Sequence, residues 1–458
     1  MRWLFQARKT RSMVLRFAAR IVLAGALALA PIIAPAQGLL RDPEIEATLK
    51  RLAAPLLKAA GLPQGSIDIL IVNDQSLNAF VFDNKAIFLN SGLLMRLDGP
   101  AQIQAVIGHE LGHITSGHLI RRKLNRQSAT TAMGLGLLIG MAAAASGANS
   151  QASQAIILGS QAAALSNFLA HTRAEETTAD QSAIRYMARA GIDGAAALDV
   201  MEIFRGQEVL SASRRDAYTR THPLSSERIR AMKGQIAAYQ GKARKPSPDM
   251  VYWHGRMVAK FRGFIGNPSA NLRRVKAKDK SEAAMMIRAI SNHRMGKRDK
   301  AVAYMNQLLA KRPNDPFYHE LKGQILLEGR KAGAAVAAYR RAAALAPRDA
   351  LILAGLGRAL LAQSSKSSDR EALAVLKKAR ARDPRDARML RDLAVAYAKA
   401  GNNGMAALMA AERYALLSRF KDAYTSAKRA EGLLPRGSSG WLLAQDIIGQ
   451  TKSYAKKK

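Results

Sequence analysis

The chain of 458 residues contains no cysteine. That excludes disulfides, lipid attachment through a thiol and thiolate metal ligands, so a bound metal would have to be held by histidine and carboxylate. Export to an oxidising compartment is compatible with the lack, which does not by itself establish it. Acid is scarce as well: 34 Asp and Glu stand against 71 Lys and Arg, for a formal charge of +37. The surplus is uneven, with +6 in residues 1–36, +3 in 37–240, +8 in 241–279 and +20 in 280–458. The segment 37–240 is therefore nearly neutral, and the basic surface belongs to the carboxy-terminal half of the chain. Such a surface favours anionic partners: lipid headgroups, lipopolysaccharide, acidic protein patches or nucleic acid. Nucleic acid is the poorest fit, because no reader motif accompanies the lysines and arginines. Between Arg126 and His171 there is no charged residue at all.

What is present begins with a leader. Arg16 and Arg20 precede the apolar run Ile21 to Ile33, and Ala34-Pro35-Ala36 supplies small residues for cleavage before Gln37. This pattern predicts a signal peptide over 1–36 and a periplasmic mature chain, with a short amino-terminal anchor as the alternative.

The richest stretch is Gly108-His109-Glu110-Leu111-Gly112-His113. Around it Ile103, Val106, Ile107, Leu111 and Ile114 recur at helical spacing, so 101–119 reads as a buried amphipathic helix. His109 and His113 then stand one turn apart on one face and can grip a single ion. Glu110 lies beside that face, where a carboxylate can take a proton from water that the metal polarises. Without a metal, the same residues would be two helix-face histidines beside a solvated glutamate. A third histidine at the six-residue spacing is missing, because that position is Leu119. His118 lies about 140° round the helix from His113 and reads as a surface histidine or a support for a ligand. Downstream, Glu176 and Asp180 are i and i+4 on a second helix. One can bind zinc while the other accepts a hydrogen bond from a ligand histidine. Glu175 does not share the Asp180 face.

His-Glu-Leu-Gly-His, then Arg173-x-x-Glu176-x-x-Ala-Asp180, then Thr221-His222-Pro223-Leu224 with Glu227-Arg228 resembles the gluzincin zinc metallopeptidases of the CaaX prenyl endopeptidase and HtpX type. Asn78-Ala79-Phe80 followed by Ile87 to Leu94 also fits, and the likeness covers roughly residues 60–235. With its leader and its carboxy-terminal repeats, the chain is most similar to the periplasmic BepA-type proteases. The resemblance implies one Zn2+ per chain on His109, His113 and Glu176, with Asp180 holding a ligand and Glu110 as general base. It implies that His222 lies near the metal, donating to the oxyanion or filling the open position at rest, and that Arg228 buttresses the cleft. It places Asn78, Ala79 and Phe80 beside the substrate, where an edge strand can hold an extended peptide through its backbone. It implies misfolded or stalled envelope and outer-membrane proteins as substrates, with an assembly machine as a possible docking partner. A chaperone or adaptor with a latent protease site is the alternative.

The rest of the chain predicts a mainly α fold of the α+β kind. A helix over 42–58 with Ile45, Leu49, Leu52 and Leu56 inward is followed by strands at 67–72, 79–82 and 85–89 in a small antiparallel sheet. The apolar pieces 133–145 and 155–169 read as a helical hairpin flap beside the site, with a transmembrane hairpin as the alternative. Pro313-Asn-Asp-Pro, Pro347-Arg-Asp-Ala and Pro384-Arg-Asp-Ala recur at steps of 34 and 37 residues. Gly323, Ala335, Tyr339, Ala342 and Pro347 fall where a tetratricopeptide repeat has Gly, Ala, aromatic, Ala and Pro, and the three extra residues are assigned to a loop at 363–369. The expected organisation is a signal peptide (1–36), a zinc metalloprotease domain (37–245), a basic linker (246–280) and an α-solenoid of repeats (281–455).

Overall fold

The computed structural model describes residues 39–118, 173–205, 218–219, 222–239 and 243–455. The expected signal peptide and both apolar pieces of the expected flap lie outside these residues. No helix among the described residues is long and apolar enough to cross a membrane.

Asp42 starts the first helix, α1 (Pro43–Ala59), by accepting hydrogen bonds from the Glu44 and Ile45 amides at 3.0 Å. That N-cap satisfies donors the helix cannot pair itself. Ile45, Leu49, Leu52 and Leu56 are buried, as their spacing predicts. Gly61 and Gly65, at φ +73° and +81°, then turn the chain into the sheet.

The sheet has four strands in the order β1 (Leu39–Leu40), β2 (Asp68–Val72), β4 (Ala86–Asn90), β3 (Ala79–Asp83). The β3–β4 hairpin is the expected one, but β2 and β4 run parallel, so the sheet is mixed rather than antiparallel. The segment between β2 and β3 carries the chain past one strand position, and the hairpin folds β4 back beside β2. Ile69, Ile71, Ile87 and Leu89 are buried in these two central strands, leaving β3 at the edge. Two helices, α2 (Ser91–Arg96) and α3 (Pro100–Thr115), come next. Helix α3 packs on α1, where Gln104 donates from Nε2 to the Leu52 carbonyl at 3.0 Å. A helix over 173–189 (α4), then α5 (Ala195–Ile203) and α6 (Ser226–Ala238), complete this part.

The stretch expected as a basic linker is largely helical: α7 (Pro248–Ile265) and α8 (Pro268–Arg274). Met257 and Phe261 of α7 belong to the core shared with α1, α3 and the sheet, whereas Ala259 belongs to the core of the first repeat. Two of its cations are fully buried. Arg256 pairs with Glu44 at 2.5 Å and with Asp315, and its guanidinium lies 4.0 Å from the Tyr318 ring centre. Lys260 Nζ lies 2.8 Å from Asp42, 3.3 Å from Glu44 and 3.5 Å from Glu320.

Ten helices then pair into five hairpins: α9 (Glu282–Arg294) with α10 (Arg298–Lys311), α11 (Pro316–Glu328) with α12 (Ala332–Leu345), α13 (Ala350–Gln363) with α14 (Lys366–Arg382), α15 (Ala387–Lys399) with α16 (Asn403–Leu416), and α17 (Phe420–Leu433) with α18 (Ser439–Ala455). The repeat glycines have a packing reason. A Cβ on Gly323 would come within 2.7 Å of the Tyr339 ring, and one on Gly355 within 2.4 Å of the same ring. The three extra residues do not make a long loop; after Ser364 in the left-handed region, Ser365 caps α14 and the insertion lengthens that helix.

The acids buried at this junction make stability depend on pH. Burial raises the Glu320 carboxyl from 4.5 to about 8 against the pull of Lys260, with Asp42, Glu44 and Asp349 also raising it. Between those two values the folded chain holds a proton that the unfolded chain has lost, so this group makes stability fall as pH rises. The melting temperature of Glu320→Gln should therefore fall less between about pH 5 and pH 8 than that of the parent.

Candidate metal centre

The centre is built where α3 crosses α4. Two glycines allow the approach: Gly108 faces Ala183, and a Cβ on Gly112 would meet the Ala179 backbone at 2.8 Å. Turned a quarter from that contact, His109 and His113 project one turn apart, and Glu176 comes up from α4 to meet them. His109 Nε2 lies 3.1 Å from His113 Nε2 and 3.3 Å from Glu176 Oε2, and His113 Nε2 lies 3.4 Å from Glu176 Oε1. His222 closes the set, its Nδ1 3.0 Å from Glu176 Oε2 and 3.2 Å from His109 Nε2. These four residues form a buried group whose donor atoms all lie within 4.8 Å of one another.

The donor set fits zinc. Bonds of about 2.0–2.2 Å in a tetrahedron put neighbouring ligand atoms about 3.3–3.6 Å apart, close to the separations seen here. A positive charge is favoured at the same point. Burial opposes protonation of His109, but hydrogen bonds and charge from Asp180 and Glu176 outweigh it and push its pKa up to about 10. Glu176 is held well below the usual carboxylate range: burial works against that, and His222 and His109 overcome it.

Supports for the ligands arrive from α4 and α6. Asp180 Oδ1 accepts from His109 Nδ1 at 2.9 Å, which fixes the ring so that Nε2 faces the centre. Arg228 grips Asp180 with Nε at 2.8 Å and Nη2 at 2.9 Å, and its Nη1 donates to the Pro223 carbonyl at 2.7 Å. It thereby ties the His222 turn to the ligand helix. Ser225 caps α6 by accepting from the Arg228 amide. Glu110 is 0% exposed, which removes the solvated-glutamate reading, and its Oε1 lies 3.5 Å from His222 Nε2. His118 is not a surface residue: it is 1% exposed, with Nδ1 2.9 Å from His113 Nδ1.

Ala79 and Phe80 open the edge strand β3, with Asn78 just before it, and β3 packs against α3. The Ala79 side chain is buried in the core and Phe80 stacks on Phe88 at 5.1 Å, so a bound chain would meet the backbone here more than these side chains. Sequence reasoning missed Tyr218. Its ring stacks between Phe204 at 4.7 Å and His222 at 4.6 Å. Its carbonyl accepts from the His222 amide at 2.7 Å, and its own amide donates to Leu77 at 3.1 Å. The four-residue step from Tyr218 to His222 was the available signal.

The sequence profile described as peptidase family M48 matches residues 39–236. The amino-terminal domain belongs to peptidase family M48. The M48 domain is followed by tetratricopeptide repeats, whose profile matches 288–350 and 320–368. Among curated proteins, the chain is 26% identical over 403 residues to the beta-barrel assembly-enhancing protease of Escherichia coli strain K12, covering 87% of this chain and 81% of that one. The protein of the same description from Yersinia pestis is 24% identical, over 66% of this chain and 63% of its own. The mitochondrial metalloendopeptidase OMA1 of Schizosaccharomyces pombe is 25% identical, over 42% and 54%. The protein is a zinc metalloprotease that acts on protein substrates.

The glycine contact between α3 and α4 makes a test of the M48 domain's geometry. Gly112→Ala should force the helices apart at an overpacking cost of about 1–3 kcal/mol. The same shift draws Glu176 away from the paired imidazoles, so bound zinc should fall along with stability. Alanine at exposed Gly234, inside α6 where a Cβ meets nothing, should leave bound zinc unchanged and raise stability by about 0.5–1 kcal/mol.

Proposed function

We propose that this protein is an endopeptidase of the bacterial periplasm that cuts misfolded or stalled outer-membrane proteins, with its repeats recruiting the substrate or an assembly machine. The convergence of His109, His113, Glu176 and His222 on one point carries the reading. His109, His113 and Glu176 would hold the zinc, and Asp180 and Arg228 would keep His109 and the His222 turn in place. When bound, zinc polarises water and the scissile carbonyl. Glu110 takes the proton of the attacking water and returns it to the departing amine nitrogen, so the peptide bond breaks as the new C–O bond forms. His222 stands where the substrate carbonyl must arrive, so it has to withdraw for cleavage and would then donate to the oxyanion from beside the centre. Tyr218, stacked on His222 and bonded to Leu77, ties that movement to the start of the edge strand.

The resemblance to proteases described as enhancing β-barrel assembly supports the substrate class. The leader supports export, and the basic surface is suited to anionic membrane contact. The test is digestion by the zinc-loaded chain of one outer-membrane β-barrel protein, offered urea-unfolded and, separately, folded in detergent. Cleavage of the unfolded form alone is expected; equal cleavage of both, or of neither, would remove the substrate assignment.

A further inference from the structure

The outer face of the sheet carries an apolar row that the catalytic reading does not use. The strand register sets Leu70 beside Phe88 and Phe88 beside Phe80, so the row crosses three strands and ends on the edge strand β3. Along those strands side chains alternate between the two faces. Ile69, Ile71, Ala79, Ile87 and Leu89 turn inward and are buried in the core, whereas Leu70, Phe80 and Phe88 are only half-buried. The two rings stack at 5.1 Å with 8° between their planes.

The edge beside this row is presented in a defined register. The Asn90 amide donates to the Asn78 carbonyl at 2.9 Å, so Asn78 and, two residues on, Phe80 turn their backbone groups toward β4. The backbone groups of Ala79 and Val81 therefore point away from β4, and among the described residues no strand pairs with β3 on that side. What does reach that side is the turn of the metal centre. Just before Ala79, the Leu77 carbonyl accepts from the Tyr218 amide at 3.1 Å, and Tyr218 stacks on His222. An extended chain paired with Ala79 and Val81 would thus lie alongside the centre, and its residue opposite Phe80 would set its side chain on the outer face.

We propose that the row of Leu70, Phe88 and Phe80 selects an aromatic or branched apolar side chain in the substrate, at the position opposite Phe80, while the flanking substrate residues pair through their backbone with Ala79 and Val81. The proposal rests on the reading of the protein as a peptidase of unfolded outer-membrane chains, and it adds a side-chain preference to that reading. The backbone supplies most of the hold, and the rings supply the preference. A strand destined for a membrane β-barrel alternates apolar and polar side chains. Laid on β3 in this register, it sets its apolar series on the row and its polar series on the side of α3 and the metal centre.

The probe is a fluorescein-labelled twelve-residue peptide of alternating threonine and serine with one central tyrosine, beside a matched peptide with threonine in that place. Both are titrated against the full-length zinc-loaded Glu110→Gln chain and read by anisotropy. The tyrosine peptide should bind about fivefold more tightly, the scale of one aromatic cross-strand pair. Phe80→Thr in that background, and separately Phe88→Thr, should each cut the preference below twofold; threonine suits a strand, so the sheet is kept. Leu443→Thr, which removes an apolar side chain 42% exposed in the last repeat, should keep the preference in full. Thermal melting shows whether the sheet variants are folded, and one folded variant is enough to decide. Equal binding of the two peptides, a preference that survives in a folded sheet variant, or one lost in Leu443→Thr would overturn the proposal. Casein digestion by the parent chain separates the two readings: cleavage with no tyrosine preference sinks only the row, and no cleavage sinks the peptidase.

Discussion

Glu110→Gln should keep its zinc and lose peptide hydrolysis by about 10²–10⁴-fold, the range that a positioned general acid–base contributes. The substitution is nearly isosteric, and the side chain is 0% exposed, so little else should move. Glutamine cannot take up the proton that the attacking water must shed or supply one to the departing nitrogen. The ligands are untouched: the His109, His113 and Glu176 donors lie 3.1–3.4 Å from one another whichever residue stands at 110. Initial rates on casein, together with zinc measured per chain, separate loss of chemistry from loss of metal. Undiminished cleavage would remove Glu110 from the reaction.

Arg256→Met should destabilise the chain by about 3–5 kcal/mol, because one member of a buried ionic network is removed and the others stay. Arg256 is 2% exposed and Glu44 0%, so neither the remaining Glu44 carboxylate nor Asp315 can turn to bulk water. Lys260, 3.3 Å from Glu44, softens the loss without replacing the second cation. Because α7 contributes to the cores of both the M48 domain and the first repeat, the cost should appear in the unfolding of both parts. Denaturant unfolding followed by fluorescence and by circular dichroism would show it. A shift under 1 kcal/mol would mean that water reaches this cluster.

The ligand set was legible because each piece of it is local. A one-turn step puts His109 and His113 on a common face, and another puts Glu176 rather than Glu175 with Asp180. Helix α1 was legible over 42–58 for the same reason, though the capping role of Asp42 came only with the structure. What escaped depended on partners far away in the chain. Arg256 and Lys260 lay in the expected basic linker with no local partner to mark them; their acids are 212 residues back at Glu44 and 59 or 60 residues ahead at Asp315 and Glu320. The strands were found, but the parallel pairing of β2 with β4 depends on where the chain crosses between strands, which alternation does not encode. Helical spacing alone does not decide between surface and support for His118, because the turn after α3, with Gly117 at φ +66°, swings it back toward His113 instead of round the helix. Tyr218 carries no chemistry of its own that a motif would mark; it matters through the ring and the backbone it holds.

Zinc per chain after dialysis against a weak chelator, compared between the parent and Glu176→Gln, tests the convergence of two imidazoles and a distant carboxylate most directly. One zinc in the parent and little or none in the variant is the expected result, with both chains equally folded by circular dichroism. Equal zinc in the two, or none in a folded and freshly loaded parent, would contradict it.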